Sequence, residues 1–199
     1  MKRFKTILII LFAICLFVPV HPVFASPVQD QLKASIDKLL DILRDPQYQG
    51  DASADKRRQA LRTIIYERFS FEKMSQLSLG ANWKKINDQQ KDEFIKLFSQ
   101  LLEDTYVTKI EGYTNEKILF TKELVNKKKA QINTKIVTDS VEIPLDYRMY
   151  QAKDGSWMVY DMIIEGVSLV GNYRSQFSEI LQNDSFEKLM EELKKKISS

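Results

Sequence analysis

Cysteine and histidine are almost absent from this 199-residue chain, which has one of each. Both Cys15 and His21 lie within the first 25 residues, so residues 26–199 contain neither type. That part of the chain offers no imidazole for acid–base catalysis and no thiols for a disulfide. It also lacks the side chains that build the usual zinc sites. Few of the groups that enzymes use most are therefore available.

Glycine is scarce too, and a long apolar run occurs only near the N-terminus. The six glycines are scattered, at positions 50, 80, 112, 155, 166 and 171. Glycines this far apart cannot form a loop that cradles a phosphate group. The apolar run, Ile7 to Val18, is twelve residues long, whereas a membrane-spanning helix needs roughly 20. This run is too short to cross a bilayer.

The N-terminal segment has the three parts of a secretory signal peptide. Basic residues come first, at Lys2, Arg3 and Lys5, and the apolar run follows them. The triplet Val23-Phe24-Ala25 then provides small residues at the positions that a signal peptidase inspects. We predict cleavage before Ser26 and export of the remaining chain.

Removal of residues 1–25 would change the charge balance. Three of the 30 lysines and arginines lie in that segment and none of the 27 acids do, which leaves 27 charges of each sign. The pI near 8.8 therefore gives no reason to expect nucleic-acid binding. Residues 26–199 are enough chain for one domain with a substantial core, and we predict a single domain.

The stretch EGVSLVGNYRSQF, residues 165–177, is close to the G-x-S-x-G turn of serine hydrolases. One residue too many separates Ser168 from Gly171, and no histidine is available to activate the hydroxyl. A lysine that reaches Ser168 from elsewhere in the fold stays an alternative. We predict instead that Ser168 caps or bends the chain where a strand turns into a helix.

Two acidic residues close to this stretch are the remaining candidates for catalysis. Asp161 and Glu165 could act as a carboxylate pair of the kind that cleaves glycosides. Arg174 follows nearby in the sequence. We therefore favour an ion pair that braces the turn.

The spacing of apolar residues predicts six helices. They run from Val28 to Pro46, from Ser53 to Phe69, from Phe71 to Gly80, from a capping pair at Asn87 and Gln90 to about Gly112, from Tyr173 to Leu181, and from a cap at Asp184 to Ile197.

After Gly112 the apolar residues alternate instead, which predicts strands at about 117–125, 129–138, 141–151 and 156–164. Short turns join them in series, so we predict an antiparallel meander. The fourth strand is apolar on both faces, with Val159 opposite Met162. The predicted fold is α+β: a four-stranded, or five-stranded, antiparallel meander sheet with helices packed against one face and an apolar pocket between them.

Three stretches resemble the MlaC family, the periplasmic phospholipid-binding or toluene-tolerance proteins of Gram-negative bacteria. One runs from Phe69 to Trp83 and a second from Phe98 to Tyr106. The third, from Trp157 through Ile164 and Val170 to Phe177, is long enough to be specific. Together they cover roughly residues 60–185.

The resemblance implies a periplasmic phospholipid carrier with no catalytic residue. Such a carrier shuttles lipid between an inner-membrane ABC transporter complex and an outer-membrane lipoprotein–porin complex, and so maintains outer-membrane lipid asymmetry. We expect a monomer that binds phospholipid and uses no cofactor, metal or nucleic acid. Methionines and aromatic residues gather on the third and fourth strands and the flanking helices, as in an adaptable apolar cavity. The candidate lipid-binding residues are Phe98, Leu102, Tyr106, Ile143, Leu145, Tyr147, Met149, Val159, Met162, Val167, Leu169, Tyr173 and Phe177.

Two alternatives stay open at the level of sequence. One is a small-molecule enzyme on a cone-shaped α+β scaffold, with Asp161 or Glu165 as the base in an apolar pocket. The other is a periplasmic interaction module whose groove binds a peptide.

Overall fold

The computed structural model describes residues 26–113, 116–138 and 140–197. The predicted signal peptide lies outside these residues. Within them five strands form one sheet, and six α-helices pack on it or on each other. Their bounds are α1 Pro27–Arg44, α2 Ala54–Arg68, α3 Phe71–Leu79, α4 Asp88–Glu111, β1 Lys117–Asn126, β2 Lys129–Val137, β3 Glu142–Gln151, β4 Trp157–Ile164, β5 Val167–Ser168, α5 Leu169–Asn183 and α6 Phe186–Ile197.

Polar side chains fix where the helices begin. The side chains of Asn87 and Gln90 form the predicted capping box at the start of α4. The predicted cap of the last helix is wrong by one residue. The Ser185 hydroxyl, rather than the Asp184 carboxylate, accepts from the backbone N–H of Lys188 at 3.3 Å.

The sheet is an antiparallel meander in sequence order, as predicted, with β5 as a short fifth strand beside β4. A bulge at Tyr160 interrupts the pairing of β3 with β4. Because a bulge adds one residue to one strand, the side-chain alternation reverses there. Val159 and Met162 therefore lie on the same face of the sheet, where they pair with Met149 and Tyr147 of β3, respectively. Their predicted placement on opposite faces is wrong.

Two separate clusters make up the core. In one, the first half of α1 packs on the sheet, with Val28 and Leu32 against Ile132 and Met149. In the other, α3, α4, α5 and α6 pack together around Phe94. The second half of α1 and most of α2 lie over the gap between the clusters. No helix of the described residues is long and apolar enough to cross a membrane.

Candidate functional site

An apolar cavity of about 500 Å³ lies between the sheet and the helices. This volume falls within the range of ligand pockets, roughly 300–1,000 Å³. Its wall combines α1, α2 and α4 on one side with β2, β3 and β4 on the other. The apolar members of the wall that come from the first two helices are Leu32, Ile36, Leu39, Leu40, Leu43, Leu61, Ile64 and Ile65.

The two ends of the cavity differ in character. At the inner end the wall is formed by buried apolar side chains, among them Phe71, Met74 and Leu169. The outer end lies where α4 finishes, and half-buried polar residues such as Tyr113 and Thr138 border it. An elongated apolar guest with one polar end would fit this arrangement, because polar wall residues away from the outer end, such as Arg68 with Ser35 and Arg62 with Glu103, are already bonded to each other.

Ion pairs join α2 to α4 along the edge of the cavity. Arg62 Nε donates to both oxygens of Glu103, at 2.8 and 2.9 Å. Arg57 and Arg58 both reach Glu111, with nitrogen–oxygen distances of 3.0 and 3.2 Å. The hydrogen bond to Glu103 raises the pKa of Arg62, so this guanidinium stays charged.

Arg68 anchors the end of α2 that lies nearest the inner end of the cavity. Its guanidinium donates to Ser35 Oγ at 2.9 Å, to Gln31 Oε1 at 3.0 Å and to the Trp157 carbonyl. Burial lowers the pKa of Arg68 below its usual value. These bonds tie α2 to α1 and to β4.

Two tyrosines on the cavity wall keep their protons. Burial raises the pKa of Tyr106 and of Tyr147 above the usual value of 10. Neither is placed to act as a base, so their part in the wall is to provide ring surface.

The structure brings seven of the predicted lipid-binding residues to the cavity wall: Leu102, Tyr106, Ile143, Leu145, Tyr147, Met162 and Leu169. They come from α4, β3, β4 and α5, far apart in sequence, and meet because these elements face the same gap. Their contact with a lipid remains a prediction.

The six other candidates lie elsewhere, which corrects their expected placement. Phe98, Tyr173 and Phe177 fill the helical core. The ring centroid of Phe98 lies 5.0 Å from that of Tyr173 and 5.4 Å from that of Phe177. Met149 and Val159 are fully buried between the sheet and the start of α1. Val167 is 59% exposed, because the turn before β5 carries it to the surface.

The residues of α1 and α2 on the cavity wall were missed by the sequence prediction. Their apolar spacing predicts helices correctly, but a helix face does not reveal whether it packs on a core or borders a cavity. One signal was present: the leucines of α1 continue past Ile36 as Leu39, Leu40 and Leu43. These three are only partly buried, whereas Leu32 and Ile36 are buried.

Asp161 lies outside the cavity wall and holds the turn that leads into α5. Ser168 Oγ donates to its carboxylate at 2.7 Å, and the Val170 N–H donates to it at 3.0 Å. Ser168 caps α5, as predicted, by accepting from the Gly171 N–H at 2.9 Å. The predicted ion pair with Arg174 is wrong, since Arg148 occupies that role at 3.0 Å.

Asp161 and Glu165 do not form a pair on the cavity wall. Glu165 borders the cavity, but it is exposed and has a positive φ of 50°, in the tight turn before Gly166. Among the described residues no cluster of acidic, histidine or cysteine side chains is arranged to hold a metal ion. The cavity can enclose an apolar molecule, and on its described wall Glu103 is engaged in an ion pair with Arg62.

Fold and site together define an α+β protein with an open apolar cavity between its sheet and its helices. Residues 33–195 match the MlaC protein family, and the chain belongs to that family.

Two individual relatives show how far the likeness extends. The intermembrane phospholipid transport system binding protein MlaC of Haemophilus influenzae is 25% identical over 172 residues, which cover 84% of this chain and 80% of that protein. A phospholipid-binding protein from Ralstonia solanacearum, solved in complex with a phospholipid, superposes with a TM-score of 0.78 at 22% identity. That match covers 87% of this chain and 98% of the other, and it confirms the α+β fold.

Proposed function

We propose that this protein is a periplasmic phospholipid carrier that holds acyl chains in the cavity between sheet and helices. The observation that carries the proposal is the apolar cavity of about 500 Å³ in a member of the MlaC family. The predicted signal peptide supports a location in the periplasm. The absence of histidine and cysteine from residues 26–199 supports a binding protein rather than an enzyme.

The hydrophobic effect explains why such a lipid needs a carrier. Two acyl chains hold about 30 methylene groups, and their exposure to water would cost on the order of 25 kcal/mol. That exceeds the practical limit of non-covalent affinity, roughly 20 kcal/mol. Release into water is therefore negligible, whereas transfer between the cavity and another apolar environment needs little free energy.

Direct transfer of this kind requires docking partners, and the family resemblance implies which ones. Lipid must pass directly from one apolar site to another, so the protein has to dock at each end of its route. We propose an inner-membrane ABC transporter complex and an outer-membrane lipoprotein–porin complex as these partners, and maintenance of outer-membrane lipid asymmetry as the outcome. Directional work would come from the ATP-driven complex.

Blocking the cavity tests the proposal. Met162 lies on the cavity wall, whereas Met158, on the same strand, does not. We expect Met162→Trp to abolish the phospholipid that co-purifies with the protein and its uptake from liposomes, because the indole fills the space for the acyl chains. Native mass spectrometry and solvent extraction measure both.

Met158→Trp is the matched control and should retain the lipid. A wild-type protein that neither co-purifies with phospholipid nor extracts it from liposomes would refute the carrier function. Equal lipid content in the two variants would refute this cavity as the binding site.

A further inference from the structure

Two cations lie close to the outer end of the cavity: Lys109 borders it, and Arg44 bonds to Tyr113, which borders it. Arg44 ends α1, and Lys109 lies in the last turn of α4. Within residues 26–113, 116–138 and 140–197, no carboxylate comes within ion-pair distance of either side chain. We refer to Arg44 and Lys109 as the rim cations.

Each rim cation is held over a tyrosine ring. The Arg44 guanidinium lies 5.9 Å from the ring centroid of Tyr113 and donates to its hydroxyl at 3.3 Å. Lys109 Nζ lies 5.4 Å from the ring centroid of Tyr106. Both tyrosines border the cavity. Because the face of an aromatic ring attracts a cation, the rings keep both charges where the apolar wall meets solvent.

The other cations at this edge differ from the rim cations. Arg57, Arg58 and Arg62 of α2 are engaged by two acids of α4, Glu103 and Glu111. Those acids compete with any incoming anion for the arginines. The fourth arginine of α2, Arg68, is bonded to Ser35, Gln31 and the Trp157 carbonyl. Glu116 also borders the cavity, but no carboxylate of the described residues is paired with either rim cation, so an anionic group can approach each of them at low cost.

We propose that the rim cations bind the phosphate of the lipid whose acyl chains occupy the cavity, and that they thereby select phosphate-bearing lipids over neutral diacylglycerols. The inference rests on the proposed function. In a glycerophospholipid the phosphate is joined to the same glycerol as the acyl chains. Acyl chains inside the cavity therefore place the phosphate at its outer end, where arginine and lysine form charge-assisted hydrogen bonds with it.

The proposal assigns no role to the alcohol beyond the phosphate. The charge and hydrogen-bond acceptors that the rim cations recognise belong to the phosphodiester itself. Phospholipids that differ only in the head-group alcohol should therefore bind with similar affinity, since the contact that they share is the same.

A pair of lipids with identical acyl chains tests the selection. Dioleoylphosphatidylglycerol and dioleoylglycerol differ by the phosphoglycerol group alone. In the variant with both Arg44→Gln and Lys109→Gln, we expect the affinity of delipidated protein for the phospholipid to fall about five- to tenfold, since exposed charge pairs contribute modestly. The affinity for the diacylglycerol should stay unchanged.

Two control variants isolate the effect of position. Lys127→Gln with Lys153→Gln removes the same charge from turns at the opposite end of the sheet and should alter neither affinity. Arg44→Lys with Lys109→Arg keeps both charges and should keep the selection. An unchanged melting temperature in each variant shows that the fold is intact.

Three results would overturn the proposal. They are an equal loss of affinity for both lipids, no loss for either, and displacement of bound lipid by millimolar inorganic phosphate, which would make this a site for free anions. Wild-type protein that binds neither lipid would instead refute the carrier function, which is a distinguishable outcome.

Discussion

Asp161 is the one charged residue that is buried in the described part of the chain, at 3% exposure. Its carboxylate receives hydrogen bonds from Arg148, Ser168 and the backbone of Val170. A buried carboxylate is tolerated only when such partners replace water. Asp161 therefore joins β3, β4 and the start of α5, and its role is structural.

Replacement of Asp161 by asparagine tests this structural role. We expect Asp161→Asn to lower the free energy of unfolding by about 2–4 kcal/mol, because it removes a buried charge from Arg148 and Ser168. Phospholipid content should be retained in the protein that folds, since the side chain does not border the cavity. Urea denaturation and lipid extraction measure the two quantities.

Ser168→Ala is the graded control for Asp161→Asn. It removes one hydrogen bond to Asp161 and the α5 cap, at a cost of about 1 kcal/mol. An Asp161→Asn protein with wild-type stability and no bound lipid would contradict the structural role and would revive a functional one.

The sequence predicted the roles of some individual residues near the site correctly and those of others wrongly. The role of Ser168 followed from its position between a strand and a helix, and the structure confirms it. The partner of Asp161 did not follow, because Arg148 is brought opposite it by strand pairing rather than by closeness in sequence. Arg174 instead packs beside Gly80, where an added Cβ would lie 3.0 Å from its Nε.

Charged side chains make the contact between helices α2 and α4 across the edge of the cavity. Arg62 with Glu103, and Arg57 and Arg58 with Glu111, link them. Apolar side chains lie behind these pairs and face the cavity. We expect acyl chains to enter where this edge separates, so that the ion pairs control how readily the cavity opens.

Neutralisation of the two acids tests this control of lipid exchange. We expect Glu103→Gln with Glu111→Gln to accelerate transfer of fluorescent phospholipid from the protein to vesicles several-fold. Stability should fall by about 1–2 kcal/mol, because Arg58 and Arg62 are half-exposed and can be hydrated, whereas the more buried Arg57 loses its charged partner. Higher salt should accelerate transfer from the wild type and have less effect on the variant.

Glu191→Gln on α6 is the matched control. It removes an exposed ion pair with Lys188, at 3.5 Å, that lies away from the cavity. Its transfer rate should equal that of the wild type. Equal rates in all three proteins would show that opening of the cavity does not involve α2 and α4.

At the scale of elements, periodicity predicted the helices and the four long strands within a few residues. Such patterns show which face of an element is buried, so they can be recognised without knowing which other element packs against that face. The bulge at Tyr160 was not predicted, because both faces of β4 are apolar and either register would bury apolar groups. Only the pairing with β3 decides which residues of β4 face the helices.

The whole molecule has two cores and a cavity that neither core fills. The cluster around Ile132 and the cluster around Phe94 each contain fully buried side chains, and these do not depend on a guest. We therefore expect the protein to remain folded without lipid. A bound lipid adds stability through binding to the folded state alone.

Removal of the lipid should lower the melting temperature. Saturation at 100 to 1,000 times the dissociation constant contributes about 3–4 kcal/mol, which corresponds to roughly 10 °C for a chain of this size. The far-ultraviolet circular dichroism spectrum should stay the same. Differential scanning calorimetry before and after solvent extraction measures the shift.

The blocked variant Met162→Trp is the control for the solvent itself, because it carries no lipid to lose. Its melting temperature should be the same before and after extraction. An equal decrease in the wild type and this variant would mean that the solvent, and not the loss of lipid, causes the change.

The sequence by itself determined the fold class and the strand order, because periodic burial and short turns act within one element or between neighbours. It also excluded catalysis that depends on histidine or cysteine in residues 26–199. The resemblance of three stretches to the MlaC family indicated the family. Only the tertiary structure decided which apolar faces meet and which leave a gap. Phe98 and Leu102 occupy the same helix and both belong to the helical core, yet only Leu102 also borders the cavity. The physical reason is that a cavity is a property of the space between elements, and no single element encodes it.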